Sequence, residues 1–223
     1  MISERHSDVS PYLAVQFDQY MKEYQGLYWS LAQKTKTYVS PSIHTPVLVD
    51  LGTGPGLFSI ALHQCIPSAV LVGVDPSPPM LQLAVRNTRE SAITQFIPVV
   101  GKAEKLPFKD ASVDCVVGRF CLLYWQTPQA GCQEIYRVLK PGGRLILDTM
   151  NAEFPRWRLW MMLRQMRRQG ADRTIIQYQR DAYAQAYTQA QITQFLSDAQ
   201  YTVLEVEGKK TDWKFLVAAE KPA

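Results

Sequence analysis

From residue 46 onward, short apolar runs alternate with stretches whose apolar positions recur at three- and four-residue spacing. The runs predict strands over 46–51, 69–74, 95–100, 113–118 and 143–150. The periodic stretches predict helices near 56–65, 78–91 and 128–139. In the last of these, Cys132, Ile135, Tyr136 and Leu139 form one stripe, and Pro141-Gly142-Gly143 marks the end. Ser77-Pro78 and Thr127-Pro128 each pair an N-cap residue with a proline suited to a first helical turn. Upstream, Tyr20, Tyr24, Leu27, Tyr28 and Leu31 sit at helical spacing, so one or two helices precede the linker at Pro41, Ser42 and Pro46. Downstream, Thr188 and Gln191 fit a capping box ahead of Ile192, Phe195, Leu196 and Ala199. Strands at about 201–207 and 213–219 follow closely enough to pair as an antiparallel hairpin. The alternation predicts an α/β, doubly wound, seven-stranded and mostly parallel sheet.

Such a sheet needs one full core, and 223 residues at 47% hydrophobic content supply it. The expected organisation is a single domain over 1–223. It divides into a helical cap (1–44), a ligand-binding core (45–150), a helical lid insert (151–187), and a C-terminal helix and hairpin (188–223). A net charge of +4 is too mild to imply a nucleic-acid partner. No apolar run approaches the roughly 18 residues that span a bilayer, and Glu4, Arg5, His6 and Asp8 leave no apolar signal core, so a cytoplasmic location is expected. Cys65, Cys115, Cys121 and Cys132 lack CxxC spacing and read as reduced thiols. With His6, His44 and His63 as the histidines, no metal site is expected.

Candidate chemistry begins at Val47–Phe58, VLVDLGTGPGLF, where an apolar strand ends in Asp50 and a turn holds Gly52, Gly54 and Gly56. A turn of this kind lets backbone approach a ligand, and the helix after it offers unsatisfied N–H groups to an anion. Asp75 ends the second strand, beside the first in a βαβ unit, where it can accept both hydroxyls of a ribose. Pro76 and Met80 can wall an adenine, and Met80 can equally be core. A dinucleotide site would need glycine where Leu57 stands. Asp50 suggests instead a ligand with a positive group near the turn, such as an α-amino acid end joined to a nucleoside.

VLVDLGTGPG, Asp75, GKAEKLPF at Gly101–Phe108, the strand Val113–Gly118 and LKPGG at Leu139–Gly143 resemble, in order, the motifs of class I S-adenosylmethionine-dependent methyltransferases. They are most similar to the small-molecule branch of ubiquinone- and menaquinone-type, methyltransferase type 11-like enzymes. The resemblance covers about residues 45–150 and implies a Rossmann-like fold, S-adenosyl-L-methionine as cofactor and S-adenosyl-L-homocysteine as product. It implies that Asp50, Gly52, Gly54 and Gly56 hold the methionine moiety, Asp75 the ribose, and Pro76 and Met80 the adenine face. Lys102, Ala103 and Glu104 would read the adenine edge, and Arg119 and Phe120 would lie near the sulfonium. The chain departs from the family at Lys102, where an aspartate often accepts from the adenine amino group; lysine has only donors.

The implied reaction is direct in-line methyl transfer to a small, lipophilic acceptor, with positioning as the main contribution of the protein. The segment RFCLLYW at Arg119–Trp125 is where acceptor contacts are expected. Tyr124 is the candidate base or orienting hydroxyl, with a wall residue as the plainer reading. Tyr20, Tyr24, Tyr124, Trp125, Trp157 and Trp160 are the aromatic candidates for acceptor binding. In the insert, Leu159, Met162, Leu163 and Met166 form one helical face; Arg156, Arg164, Arg167 and Arg168 with Trp157 and Trp160 form another. That helix reads as a lid, as a peripheral membrane contact through 154–168, or as a surface for RNA or an acidic partner. A non-catalytic scaffold with the same fold, an RNA methyltransferase and another transferase using the same cofactor are the alternatives.

Overall fold

The computed structural model describes residues 10–22 and 25–223. Two helices, α1 (Pro11–Lys22) and α2 (Gln25–Tyr38), lead into β1 (Val47–Leu51), α3 (Leu57–Cys65), β2 (Val70–Asp75), α4 (Pro78–Glu90) and β3 (Phe96–Val100). The chain continues through β4 (Val113–Arg119), a 3-10 turn at Leu122–Tyr124, α5 (Pro128–Val138) and β5 (Leu139–Met150). The insert forms α6 (Arg156–Arg168) and α7 (Arg173–Ala184), followed by α8 (Gln189–Asp198), β6 (Thr202–Glu207) and β7 (Lys214–Glu220).

The seven strands form one sheet in the order β3-β2-β1-β4-β5-β7-β6. β1 pairs parallel with β2 and β4, and β7 runs antiparallel to both β5 and β6. Layers cover both faces, which is why the inner strands read as unbroken apolar runs rather than alternations. Val49, Leu51, Val72 and Val116 face α5 and α8 through Cys132, Ile135, Ile192 and Leu196. Leu48, Leu71, Cys115 and Val117 face α2 and α3 through Leu31, Phe58 and Leu62. Reversal of chain order at β1 and β4 opens a crevice at their carboxyl ends.

The capping box at α8 forms as expected: Thr188 Oγ1 accepts from Gln191 N, and the Gln191 side chain accepts from Thr188 N. Three local expectations are corrected. Ser77 and Thr127 stand at N-cap positions with proline in the first turn, but neither makes a side-chain cap bond. Leu27 lies outward, and α2 buries Tyr28, Leu31 and Ala32 instead. β5 begins at Leu139 rather than 143: Leu139 pairs with Val113 and Arg144 with Cys115, so Lys140–Gly143 bulge from the ladder.

The insert packs as its apolar stripe predicts. Leu159 and Leu163 of α6 are buried in a cluster with Phe154, against Ile176 and Tyr183 of α7 and Trp213 before β7. Asn151, fully buried, ties the entrance of the insert to the β6–β7 loop: Nδ2 donates to the carbonyls of Lys210 (2.8 Å) and Asp212 (3.0 Å), and Oδ1 accepts from Glu153 N.

Candidate active site

The register Leu51↔Val74 sets the ends of β1 and β2 side by side, and the glycine turn is laced to β2. Gly52 N and Thr53 N donate to the Val74 carbonyl at 2.8 and 3.0 Å. Two glycines are sterically required. Gly52, at φ +72°, would bring a Cβ within 2.5 Å of Cys121 Cβ; Gly56, at φ +79°, would bring one within 3.0 Å of the Ala84 backbone on α4. Gly54 N donates to Asp75 Oδ2 and Ser77 N to Asp75 Oδ1, both at 2.9 Å. Each oxygen of Asp75 therefore holds one backbone amide and retains a second acceptor direction for a ligand hydroxyl. Burial raises the Asp75 pKa, against those two bonds.

Asp50 is 2% exposed, and its Oδ2 accepts from Ser59 Oγ (2.6 Å) and Thr53 Oγ1 (2.8 Å). Burial nevertheless pushes its pKa from the ordinary 3.8 to about 6, the hydroxyl bonds opposing the shift and Asp75 adding to it. Asp50 is thus a buried acid held by two hydroxyls, with no ion pair to it among the described residues. At the end of β4 stands the buried Arg119. Its guanidinium lies over the Tyr28 ring at 4.5 Å and the Phe120 ring at 5.1 Å, with Nε 3.9 Å from Asp148 Oδ2. Arg119 Nε and Nη1 and Asp148 Oδ2 are buried without hydrogen-bond partners. Phe120 holds φ +50°, a strained conformation that turns the chain away from the sheet directly beside this charge.

Helices α1 and α7 meet beside the glycine turn. Asp18 of α1, 1% exposed, accepts from Asn87 Nδ2 (2.8 Å), Lys22 and Arg86; Asn87 Nδ2 also donates to the Pro55 carbonyl (2.9 Å) in the glycine turn. Met80 packs with Ala14, Leu83 and Phe17, beneath α1. Phe17 meets Tyr178 of α7 edge-on at 5.4 Å, and Tyr178 lies 6.0 Å from the Tyr124 ring. The two tyrosine hydroxyls are hydrogen-bonded, and burial lifts Tyr124 well above its ordinary value and Tyr178 to about 12. Tyr124 therefore stays protonated near neutrality.

Several aromatic and edge-reading candidates stand elsewhere. Trp125 is core: its ring fills the space left by the missing side chain of Gly131. Trp157 and Trp160 point into solvent, 64% and 56% exposed. Tyr20 borders a cavity of about 430 Å³ with Met166 and Ile175, and Tyr24 lies outside the described residues. Lys102 is exposed, Ala103 is buried against Gly131, and Glu104 Oε1 accepts from Thr127 N. Pro76 is half-buried between Asp75 and Ser77. Residues that the sequence did not single out complete the site: Thr53, Ser59, Asp18, Asn87, Tyr28 and Tyr178. Asn87 did leave a signal, a polar residue in register with Leu83 and Ala84 on the buried face of α4.

Beside this crevice lies a cavity of about 800 Å³, roofed by α6 through Met161 and Met162, walled by Phe154 and Trp213, and floored by Asp148 and Lys214. Lys214 Nζ meets Asp148 Oδ1 at 2.8 Å while Asp148 Oδ2 faces Arg119, so one carboxylate joins the cavity floor to the end of β4.

A sheet of order 3-2-1-4-5-7-6 with an acid, a glycine turn and a second acid at the ends of β1 and β2 defines a class I, Rossmann-like methyltransferase core. Comparison with known proteins points the same way: residues 49–147 match the family model described as "Methyltransferase domain". The chain is 37% identical over 112 residues to malonyl-[acyl-carrier protein] O-methyltransferase of Herminiimonas arsenicoxydans, covering 50% of this chain and 40% of that one. It is 39% identical over 116 residues to demethylmenaquinone methyltransferase of Deinococcus radiodurans, covering 50% and 45%. The matches thus span a little under half the length of these curated relatives. Among solved structures, a putative S-adenosyl-L-methionine-dependent methyltransferase of Methanococcus maripaludis shares the fold at a TM-score of 0.72 and 22% identity, over 96% of this chain and 94% of that one. No helix among the described residues is long and apolar enough to cross a membrane.

Proposed function

We propose that this chain binds S-adenosyl-L-methionine at the glycine turn and transfers its methyl group to a small-molecule acceptor seated beneath α6. Asp50 carries the reading: a buried carboxylate at the turn, raised to about 6 and with no cation paired to it among the described residues, matches the α-ammonium of that ligand. Gly54, with open space where a Cβ would stand, leaves room for the methionine backbone, Asp75 receives the ribose hydroxyls, and Pro76 with Met80 faces the adenine. Bound there, the cofactor supplies an electrophilic methyl group on a sulfonium. The residues of this chain position the acceptor and exclude water. Tyr124 and Tyr178 present hydroxyls at the crevice, and the cavity walls of Phe154, Met162 and Trp213 suit an acceptor with an apolar body. Four buried, unpaired cysteines support placing this chemistry in the reducing cytoplasm.

Titration calorimetry with S-adenosyl-L-methionine and S-adenosyl-L-homocysteine tests the reading. Binding of both is expected, with Asp75→Ala weakening each by roughly 10- to 100-fold through loss of charge-assisted bonds. Failure of both to bind the folded chain favours the scaffold alternative, and unchanged affinity in Asp75→Ala removes the ribose assignment.

A further inference from the structure

The outer face of α6 has no function in the reading above. Helix α6 carries Arg156, Arg158, Arg164, Arg167 and Arg168 and no acidic residue. A lid needs only its inner face, and that face is occupied: Leu159 and Leu163 are 9% and 6% exposed. On the outside, Trp157, Trp160 and Met161 are 64%, 56% and 50% exposed. Leaving two indoles and a thioether in water within one helical turn forfeits several kcal/mol of apolar burial. Arg164 stacks on Trp160 at 5.2 Å, which holds that indole at the surface with a cation beside it.

We propose that α6 docks the chain on an anionic lipid bilayer, lying in the headgroup plane with Trp157, Trp160 and Met161 inserted and the arginines on lipid phosphates. Charge complementarity selects this occupant: five cations without an acid match a negatively charged surface, and tryptophan among arginines is the composition that an interfacial helix requires. The position of the cavity adds to it. Met161 is half exposed and also lines the 800 Å³ cavity, as does Arg158, so the mouth of that cavity opens along the flank of the docking helix. A helix laid on the bilayer therefore brings the cavity mouth to the lipid boundary. The docking concerns where the chain works, and it stands apart from the methyl-transfer reading.

Vesicle flotation tests the proposal with the full chain. Vesicles of phosphatidylcholine mixed with phosphatidylglycerol are expected to retain it at low salt, pure phosphatidylcholine to retain little, and high salt to release it. Arg164→Gln with Arg168→Gln lowers partitioning roughly 30-fold, two basic residues acting near the surface. Trp157→Ser with Trp160→Ser abolishes the blue shift of tryptophan emission on vesicle addition. Circular dichroism and S-adenosyl-L-homocysteine binding check that each variant is folded. Absence of retention on anionic vesicles overturns the proposal, as does retention that these pairs of substitutions leave unchanged. Equal or tighter retention on single-stranded RNA through the same residues also overturns it, in favour of nucleic acid.

Discussion

The donor crevice and the insert above it solve the problem of holding a ligand in opposite ways. In the crevice, backbone does the holding and two of the three turn glycines have no slack: a Cβ on Gly52 meets Cys121 at 2.5 Å, and one on Gly56 meets Ala84 at 3.0 Å, while Gly54 stands open. In the insert, side chains do the holding and space is left over. Gly170 between α6 and α7 is also at positive φ (+91°), yet a Cβ added to it would find nothing within 4 Å. On the proposed reading, the cofactor end of the site is fixed in advance by backbone, while the acceptor end is built from side chains of the insert. Preorganisation is spent where charge must be placed, at Asp50 and Asp75, and adaptability is kept where shape must be recognised.

Three measurements can break or sharpen that contrast. The largest effect is expected from the glycines. Gly52→Ala or Gly56→Ala costs about 3 kcal/mol or more in denaturant unfolding, combining positive-φ strain with a collision, whereas Gly170→Ala costs about 1–2 kcal/mol from strain alone. Equal costs in the two regions would remove the distinction.

The second effect is pH-linked. Asp50 has its pKa raised from 3.8 to about 6, so between those values the unfolded chain binds fewer protons than the native one. Stability from this group is therefore lost as pH rises from about 3.8 and is fully lost above about 6, a cost of about 3 kcal/mol in the free protein. A cationic ligand reverses the preference by favouring the carboxylate. Donor affinity is expected to fall up to about tenfold per pH unit below about pH 6, and Asp50→Asn to flatten both profiles. A pH-independent donor affinity in the native sequence would detach Asp50 from the ammonium.

The smallest effect is expected in the insert. Tyr178→Phe deletes the hydroxyl that meets Tyr124 but keeps the ring on Phe17. Steady-state kinetics should show acceptor KM rising by less than about tenfold with donor affinity unchanged, a loss of about 1 kcal/mol. A collapse of kcat at constant KM would instead give the tyrosine pair a direct part in the chemistry.

The same division decides what could be read from sequence. The strand positions, the glycine turn, Asp50, Asp75 and the α8 capping box are local patterns, each specified within a few residues by backbone requirements. Contacts made by convergence were not legible. Asp18 and Asn87 meet across 69 positions, and Tyr28 and Tyr178 reach the crevice from α2 and α7 with five of the seven strands between them in the chain. Trp125 read as an acceptor contact because it follows β4, but the absence of a side chain at Gly131, on the next helix, draws it into the core. Trp157 and Trp160 read as acceptor contacts because they sit in the insert; which face of α6 turns inward was settled by Leu159 and Leu163.

Strand β7 is the last element in the chain, yet it lies inside the sheet, between β5 and β6. Lys214, Phe215 and Leu216 of that strand line the 800 Å³ cavity, and Lys214 neutralises Asp148. During synthesis the cavity floor is consequently absent until residues 214–220 have left the ribosome, and until then β5 offers an unpaired edge to any neighbouring chain. A product terminated before residue 214 would keep the glycine turn with Asp50 and Asp75 but lack Lys214, Phe215 and Leu216 on the floor of the 800 Å³ cavity.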